Sequence, residues 1–584
     1  MSDKMNKDEA RSEFRWVLWW AVGIVILASL PYFWGILVTP PGYHFLGLTH
    51  NIDDAAVYLS WMRQVADGHV LFRNLFTNEP TSAGQFNVLF LLMGGVAAVT
   101  HLPLIWVFHL FRVCLGVALI LAIWQFSKLF LESADQRRLL IPLVGLTAGI
   151  GWLIPGAKAP TGPVDVWQPE AITFLSIYLN PLFLAGLILM VGSFYCLVLA
   201  QRTGETRHAV CAGLCLLLLG NVHTYDVLTV GIVWACCLLV ECFAKRAFPA
   251  RALALSALAA LIALPSIAYQ FHLYRIDEVF RARANSPAPS PAIWSLFAGY
   301  GLVLAGAIAG AAMSIVPGRR TNSLNAQRST AHSPLSTLHS PLLLIWAIVG
   351  FAIPYLPVAQ QRKLVMGLHI PLCILCAYAL SHLLTRFPRP VGRGLVLAFI
   401  LFGTGSNVGF LAQDINLLSI GRTVTIYTLF MSSPALDAMR WLRENTRASD
   451  AVFAPPTFAL FTPALAGRPV YYGHWSETPD YPDKLREWAA LVDPSVPEET
   501  ETSIILRSRA EYYVVAGETW RPSGEVRGVL EMPPAFTGDD VSVYRVRPNA
   551  PRTGEGCQSA PSPRRGEGWG EGGTCRSSTL LRGI

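Results

Sequence analysis

Apolar runs recur along the first seven-tenths of the chain, at about 16–38, 86–100, 104–130, 139–155, 172–200, 209–222, 227–243, 251–269, 292–316, 341–357, 364–384 and 394–411. Most approach the ~20 residues a helix needs to cross a bilayer. Between the first two lies a long polar stretch, 39–85. Within it Asn51, Asp53 and Asp54 precede a helix-like run in which Val57, Trp61 and Val65 recur at four-residue spacing, with Gly68 placed to end it. Beyond 411 the pattern changes. Leu436, Met439, Arg440 and Leu442 have helical spacing, and 434–445 reads as a helix. The stretches 451–454, 469–472, 512–516 and 541–545 read as strands, with helices at 481–492 and 498–508. Alternating strands and helices of this size predict a small α/β domain.

Composition agrees. Of 584 residues 53% are hydrophobic and only 14% charged, against about 25% charged in soluble domains. The expectation is an α-helical polytopic membrane protein of 11–12 apolar segments with a C-terminal α/β domain. Run 16–38 exceeds the ~7–15-residue core of a signal peptide and lacks a small-residue cleavage site, so it reads as a retained helix. The net charge of +7 is dispersed over short loops, which excludes a nucleic-acid-binding patch. Nine of eleven cysteines lie in apolar runs, and Cys557 and Cys575 lie in a Gly/Pro/Arg-rich tail, so no disulfide framework is implied. Cys373 and Cys376 have CxxC spacing inside an apolar run, where core packing explains them. Residues 318–340 and the low-complexity tail 548–584 carry no evident chemistry, and no internal repeat marks an inverted-repeat transporter.

Topology turns on 86–100, a 15-residue run holding Gly94 and Gly95. Counted as a crossing, it puts the basic loops 132–138, 201–208, 244–251, 318–340 and 385–393 outside, against the positive-inside rule. Read as re-entrant or half-buried against the loop before it, it places 13 Lys and Arg inside and 8 outside. Residues 1–15 are then cytoplasmic, 39–85 form the first external loop, 16–411 form the membrane domain and 412–547 the extracytoplasmic domain. Asp53, Asp54, Glu170, the cluster from Asn221 to Asp226, Gln361 to Lys363 and the α/β domain all fall on one face.

A charge at membrane depth costs about 2.5–3.5 kcal/mol or more, so such residues are candidates for function. Asp53 and Asp54 are either a helix cap with a dipole-favoured neighbour or a catalytic base at the water–membrane boundary. Glu170 begins an apolar helix, again as cap or ligand. Asn180 precedes Pro181 within that helix, where proline frees backbone carbonyls. His223 shares a polar island with Tyr225 and Asp226, without a metal-ligand spacing. Gln361, Arg362 and Lys363 are snorkelling residues or, on the outer face, a phosphate clamp. His474 lies in 466–480, a mixture of Gly, aromatic and polar residues that suits carbohydrate stacking, an interdomain contact or a strand-to-loop transition. No GxGxxG or Walker-type phosphate loop occurs.

Many helices, an acidic first external loop, further polar groups on that face and an external α/β domain together resemble the GT-C superfamily of membrane glycosyltransferases, which use polyprenyl-phosphate-linked sugars. The resemblance covers 16–411 in architecture and is most specific at Asp53 and Asp54. Residues 434–546 resemble the periplasmic domains attached to many bacterial members. It implies an inverting transferase in a bacterial inner membrane, active at its extracytoplasmic face. Asp53 or Asp54 would be the general base toward an acceptor hydroxyl on a glycan, lipid or protein. Arg362 and Lys363 would stabilise the departing lipid phosphate, and Glu170, His223 and Asp226 would orient the acceptor or bind a divalent metal. Some members need Mg or Mn and others do not. The rivals are a non-enzymatic transporter or lipid flippase and a degenerate GT-C-like scaffold.

Overall fold

A computed structural model describes residues 2–81, 84–246, 248–315, 340–421, 429–516 and 526–547. The chain runs α1 (Ser2–Leu37), β1 (Tyr43–Phe45), α2 (Ile52–Ala66), α3 (Val88–Thr100), α4 (Leu104–Ser127), α5 (Ala134–Leu146), α6 (Thr173–Leu179), α7 (Pro181–Thr203), α8 (Thr206–Val222), α9 (Tyr225–Lys245), α10 (Ala250–Ile276), α11 (Glu278–Ala284), α12 (Ile293–Ile315), α13 (Ser340–Ala352), α14 (His369–Leu384), α15 (Arg389–Gly403) and α16 (Gly405–Gly421). Then come β2 (Phe430–Ser432), α17 (Ser433–Asn445), β3 (Val452–Phe453), α18 (Pro456–Leu465), α19 (Tyr481–Leu491), α20 (Glu498–Ser508), β4 (Tyr512–Ala516), α21 (Val526–Val529), β5 (Phe536–Thr537) and β6 (Val541–Arg545).

The protein is an integral membrane protein, but its helices are less uniform than twelve runs suggest. Among the described residues seven helices are long and apolar enough to cross a bilayer, or eight with the bent pair α15 and α16 as one span, 42° apart. The run 172–200 is two helices. Pro181 occupies the first turn of α7, and Asn180 caps it by accepting from the Phe183 N–H at 3.0 Å. Glu170 starts neither helix; it sits in a 3-10 turn, Pro169–Ala171. At 13 residues α3 rises about 20 Å, well short of the ~30 Å hydrocarbon core. It packs on α2, where Gly94 makes room: a Cβ there would lie 2.5 Å from Val65 Cβ and 2.7 Å from the Met62 carbonyl. Except for Ser340, the stretch 318–340 lies outside the described residues, as does the tail 548–584 with Cys557 and Cys575.

The C-terminal part matches the alternating pattern. Its four-stranded sheet has the order β3-β4-β6-β5, with β3 parallel to β4 and the other pairs antiparallel. The strand expected at 469–472 reduces to a bridge between Val470 and Val452. Two features escape the local pattern. The apolar helix α18 packs its Phe458, Ala459, Phe461 and Ala464 into a core shared with Ala56, Val57 and Met62 of α2. The strands β1 and β2 pair antiparallel, Tyr43 opposite Ser432, and so tie the first loop to the start of the C-terminal domain. The helix α2 is thus enclosed by α3 on one side and α18 on another.

Gly94→Val should therefore lower the thermal midpoint in detergent, by the ~1–3 kcal/mol typical of overpacking. Gly95→Ala, with nothing within 4 Å of where the added Cβ would stand, should leave it unchanged or slightly raised.

Candidate functional site

The site starts at the first turn of α2. Asn51 is the N-cap, in the left-handed region at φ 51°, and its side chain caps no backbone group. Its Nδ2 donates instead to Asp54 Oδ2 at 2.8 Å. Asp53 is therefore not the cap. Both acids lie in the first helical turn, where the positive end of the helix favours negative charge. Their surroundings then separate them. Asp53 Oδ2 accepts from the Trp475 indole N–H at 2.9 Å. Asp54 faces a cavity of about 690 Å³. His474 is buried behind the pair, its Nε2 3.7 Å from Asp54 Oδ1 and 3.8 Å from Asp53 Oδ2. Burial raises the Asp54 pKa, but His474, Lys363 and the Asn51 hydrogen bond outweigh it and hold the carboxyl below its ordinary range.

Of the candidates from sequence, Asp54, Glu170, His223, Tyr225, Arg362 and Lys363 line this cavity. They come from α2, the 165–171 loop, the α8–α9 junction and the 3-10 turn Gln361–Val365. Six residues from four separate segments thus meet at one place. The two cations are notable for their neighbours. The Arg362 guanidinium lies 5.8 Å from the Trp167 ring and Lys363 Nζ 5.2 Å from the Tyr225 ring. Among the described ion pairs neither has a carboxylate partner within 4.0 Å, so each faces the cavity with its charge uncompensated at contact distance.

Asp53, Asn180, Asp226, Gln361 and His474 do not line it. Asn180 is spent on the α7 cap. Gln361 donates to the Leu356 carbonyl at 2.9 Å and accepts from the Ser290 N–H at 3.3 Å. Asp226 is fully buried beside His223, with Oδ2 and Nδ1 3.1 Å apart but not aligned for a hydrogen bond. It stands behind the one His of the island that reaches the cavity. Among the described residues no three His, Cys, Asp or Glu side chains converge into a metal-ligand set.

Sequence reasoning missed His50, Arg283, Trp475 and Glu477, all on the cavity wall. Arg283 of α11 donates to Glu477 at 2.8 Å. Burial works against its charge, but the Glu477 carboxylate more than offsets that and keeps the guanidinium ionised. Burial holds His50 below the ordinary imidazole range, with Asp53 pulling the other way. A signal for Arg283 existed: with Arg275 and Arg281 it is one of three cations between the apolar runs 251–269 and 292–316. Nothing local marks Glu477.

No family model and no curated protein sequence matches the chain. Solved structures do. The archaeal oligosaccharyltransferase AglB from Archaeoglobus fulgidus, in complex with an inhibitory peptide and a dolichol-phosphate, is 13% identical with a TM-score of 0.50, over 85% of this chain and 69% of that one. ArnT from Cupriavidus metallidurans, bound to undecaprenyl phosphate, is 13% identical with a TM-score of 0.50, over 90% of this chain and 97% of that one. The chain shares the fold of these two membrane proteins. Similarity at this identity extends to architecture, and the chemistry rests on this chain's own residues.

A carboxyl held low contributes stability that is full above its ordinary pKa and is lost as pH falls through the lowered value. The wild type should accordingly be more stable than Asp54→Asn by a constant margin between about pH 5 and 8, closing only below about pH 4. Thermal scans of both proteins across that range check the sign.

Proposed function

We propose that the protein is an inverting glycosyltransferase that moves a sugar from a polyprenyl-phosphate donor to an acceptor hydroxyl at the extracytoplasmic face of a bacterial inner membrane. The observation that carries this reading is one cavity lined both by the ionised Asp54 and by Arg362 and Lys363, two cations with no carboxylate within 4.0 Å among the described ion pairs. The donor's phosphodiester, bound between those cations, would leave its sugar in the remaining volume. The wall also reaches α10, where the apolar Ile267 and Phe271 are exposed. An isoprenoid chain could leave the cavity there without crossing a polar surface.

Asp54 is the base on this reading, since it lines the cavity and Asp53 does not. It accepts the acceptor's proton as the hydroxyl oxygen bonds to the anomeric carbon. The bond from that carbon to the phosphate oxygen breaks with inversion, and the lipid phosphate departs as an anion. A carboxylate held low is fully available as an anion at neutral pH, but it is a weak base. General-base help of ~10²–10⁴-fold is the upper range for a well-matched group, so much of the acceleration must come from charge stabilisation at the phosphate. Arg362 offers a fork of N–H donors and Lys363 a point charge for that task. If a divalent ion such as Mg or Mn takes part, Asp54 and Glu170 are the wall carboxylates that would hold it, since Glu477, the third, is engaged by Arg283. Such an ion would add positive charge at the leaving group.

Purified protein in lipid nanodiscs, given undecaprenyl-phosphate-linked hexose or pentose and membrane glycan or lipid extracts, should release undecaprenyl phosphate. Asp54→Asn should lower kcat by about 10²-fold or more and Asp53→Asn by much less. Arg362→Ala and Lys363→Ala should each reduce kcat/KM by about 10²-fold. Donor binding without release of lipid phosphate in the presence of any acceptor would instead favour a transporter, flippase or catalytically silent scaffold.

A further inference from the structure

The C-terminal domain reaches the acidic pair through one short loop, 473–478, and this loop is fastened from several directions. The N–H groups of Gly473 and His474 donate to Thr478 Oγ1 at 3.1 and 3.3 Å, and that hydroxyl donates to the Phe76 carbonyl at 2.6 Å. Asn74 Nδ2 donates to the Glu477 carbonyl at 2.7 Å, while the Glu477 carboxylate holds Arg283. The loop is therefore part of the first external loop's structure, although some four hundred residues separate them in sequence.

His474 is 2% exposed, edge-on to Phe76 and stacked with Trp475. Its Nδ1 accepts from the Ser476 backbone N–H at 3.1 Å, so in the neutral ring the proton resides on Nε2. That Nε2 has no hydrogen-bond partner, although buried donors are normally satisfied. It points between the two carboxylates, almost equidistant, at separations too long for a formed bond. Such bonds are often long in a resting site and tighten when substrate is bound.

We infer that His474 is a positioning residue through which the C-terminal domain completes the active site. When substrate binds, its Nε2–H closes on Asp54 Oδ1, as Asn51 already holds Oδ2 and Trp475 holds Asp53, and the lone pairs left on the Asp54 carboxylate face the acceptor hydroxyl. This rests on the reading of Asp54 as the base. The imidazole takes no proton from substrate and does not line the cavity. Its contribution lies in holding the carboxylate still, a form of preorganisation that acts on turnover more than on substrate binding.

The test uses the full chain in nanodiscs with undecaprenyl-phosphate-linked hexose and the membrane glycan or lipid extract as acceptor, reading release of undecaprenyl phosphate. His474→Gln places an amide N–H where Nε2–H stands and should keep kcat within about threefold. His474→Asn, whose amide reaches only the Nδ1 position, should lose kcat by about tenfold or more with the donor KM unchanged. Thermal midpoints within a few degrees of wild type for both variants exclude misfolding. Wild-type kcat in His474→Asn, equal losses in both variants, or a change confined to KM would each overturn the inference. Asp54→Asn separates the levels. If it is inactive while His474→Asn is fully active, only the role of His474 fails; if Asp54→Asn turns over normally, the base assignment fails and this inference with it.

Discussion

The helix α2 is apolar on most of its circumference, with Ala55, Ala56, Val57, Leu59, Met62 and Val65 all buried. A fifteen-residue helix of that kind cannot lie in an open loop, because roughly 25 cal/mol for each Å² of exposed apolar surface would oppose it. It needs cover on two sides. The membrane domain supplies α3, brought close by Gly94, and the C-terminal domain supplies α18. Sandwiched this way, α2 keeps its first turn at the junction of both parts. Asp53 and Asp54 therefore meet residues from each: Lys363 influences Asp54 from the membrane side, and His474 and Trp475 approach from the other.

Charge accounting separates the site from the scaffold. Several buried charged groups elsewhere in the bundle are held by partners within the protein. The Arg112 guanidinium donates to Ser29 Oγ at 2.8 Å, to the Ile177 carbonyl at 3.2 Å and to His109. The Asp165 carboxylate accepts from the Gly149 and Gly151 N–H groups and from Ser406, joining two loops and the start of α16, although burial still pushes its pKa up to about 6. Glu13 takes both nitrogens of the Arg137 fork, at 2.7 and 2.8 Å. Each is a structural fastening of the kind a low-dielectric interior demands. Arg362 and Lys363 differ, because their close partners are aromatic faces, which attract a cation without neutralising it. An anionic ligand would complete what the protein leaves open.

Arg283 shows the opposite use of a cation on the same wall. Its charge is spent on Glu477, and the pair holds loop 473–478 in place. Two cations face the ligand space and one secures the element that closes it. This division follows from where a carboxylate happens to stand, and residue type alone does not predict it.

The amino-acid sequence by itself determined the class of protein and the position of most of its elements, since hydrophobic runs and alternation are local signals that burial requires. It also marked the costly polar residues, because a charge beside an apolar run is visible without coordinates. Local signals failed where contact partners are remote. The helix α18 reads as an apolar stretch until α2 is beside it, and the pairing of β1 with β2 joins segments nearly four hundred residues apart. The choice between cap and base for Asp53 and Asp54 could not be resolved from composition, as adjacent acids in one helical turn are chemically alike. Only the tertiary structure divided them, by bringing the Trp475 N–H to Asp53 and leaving Asp54 open to the cavity, a difference made by a loop that the sequence places at the far end of the chain.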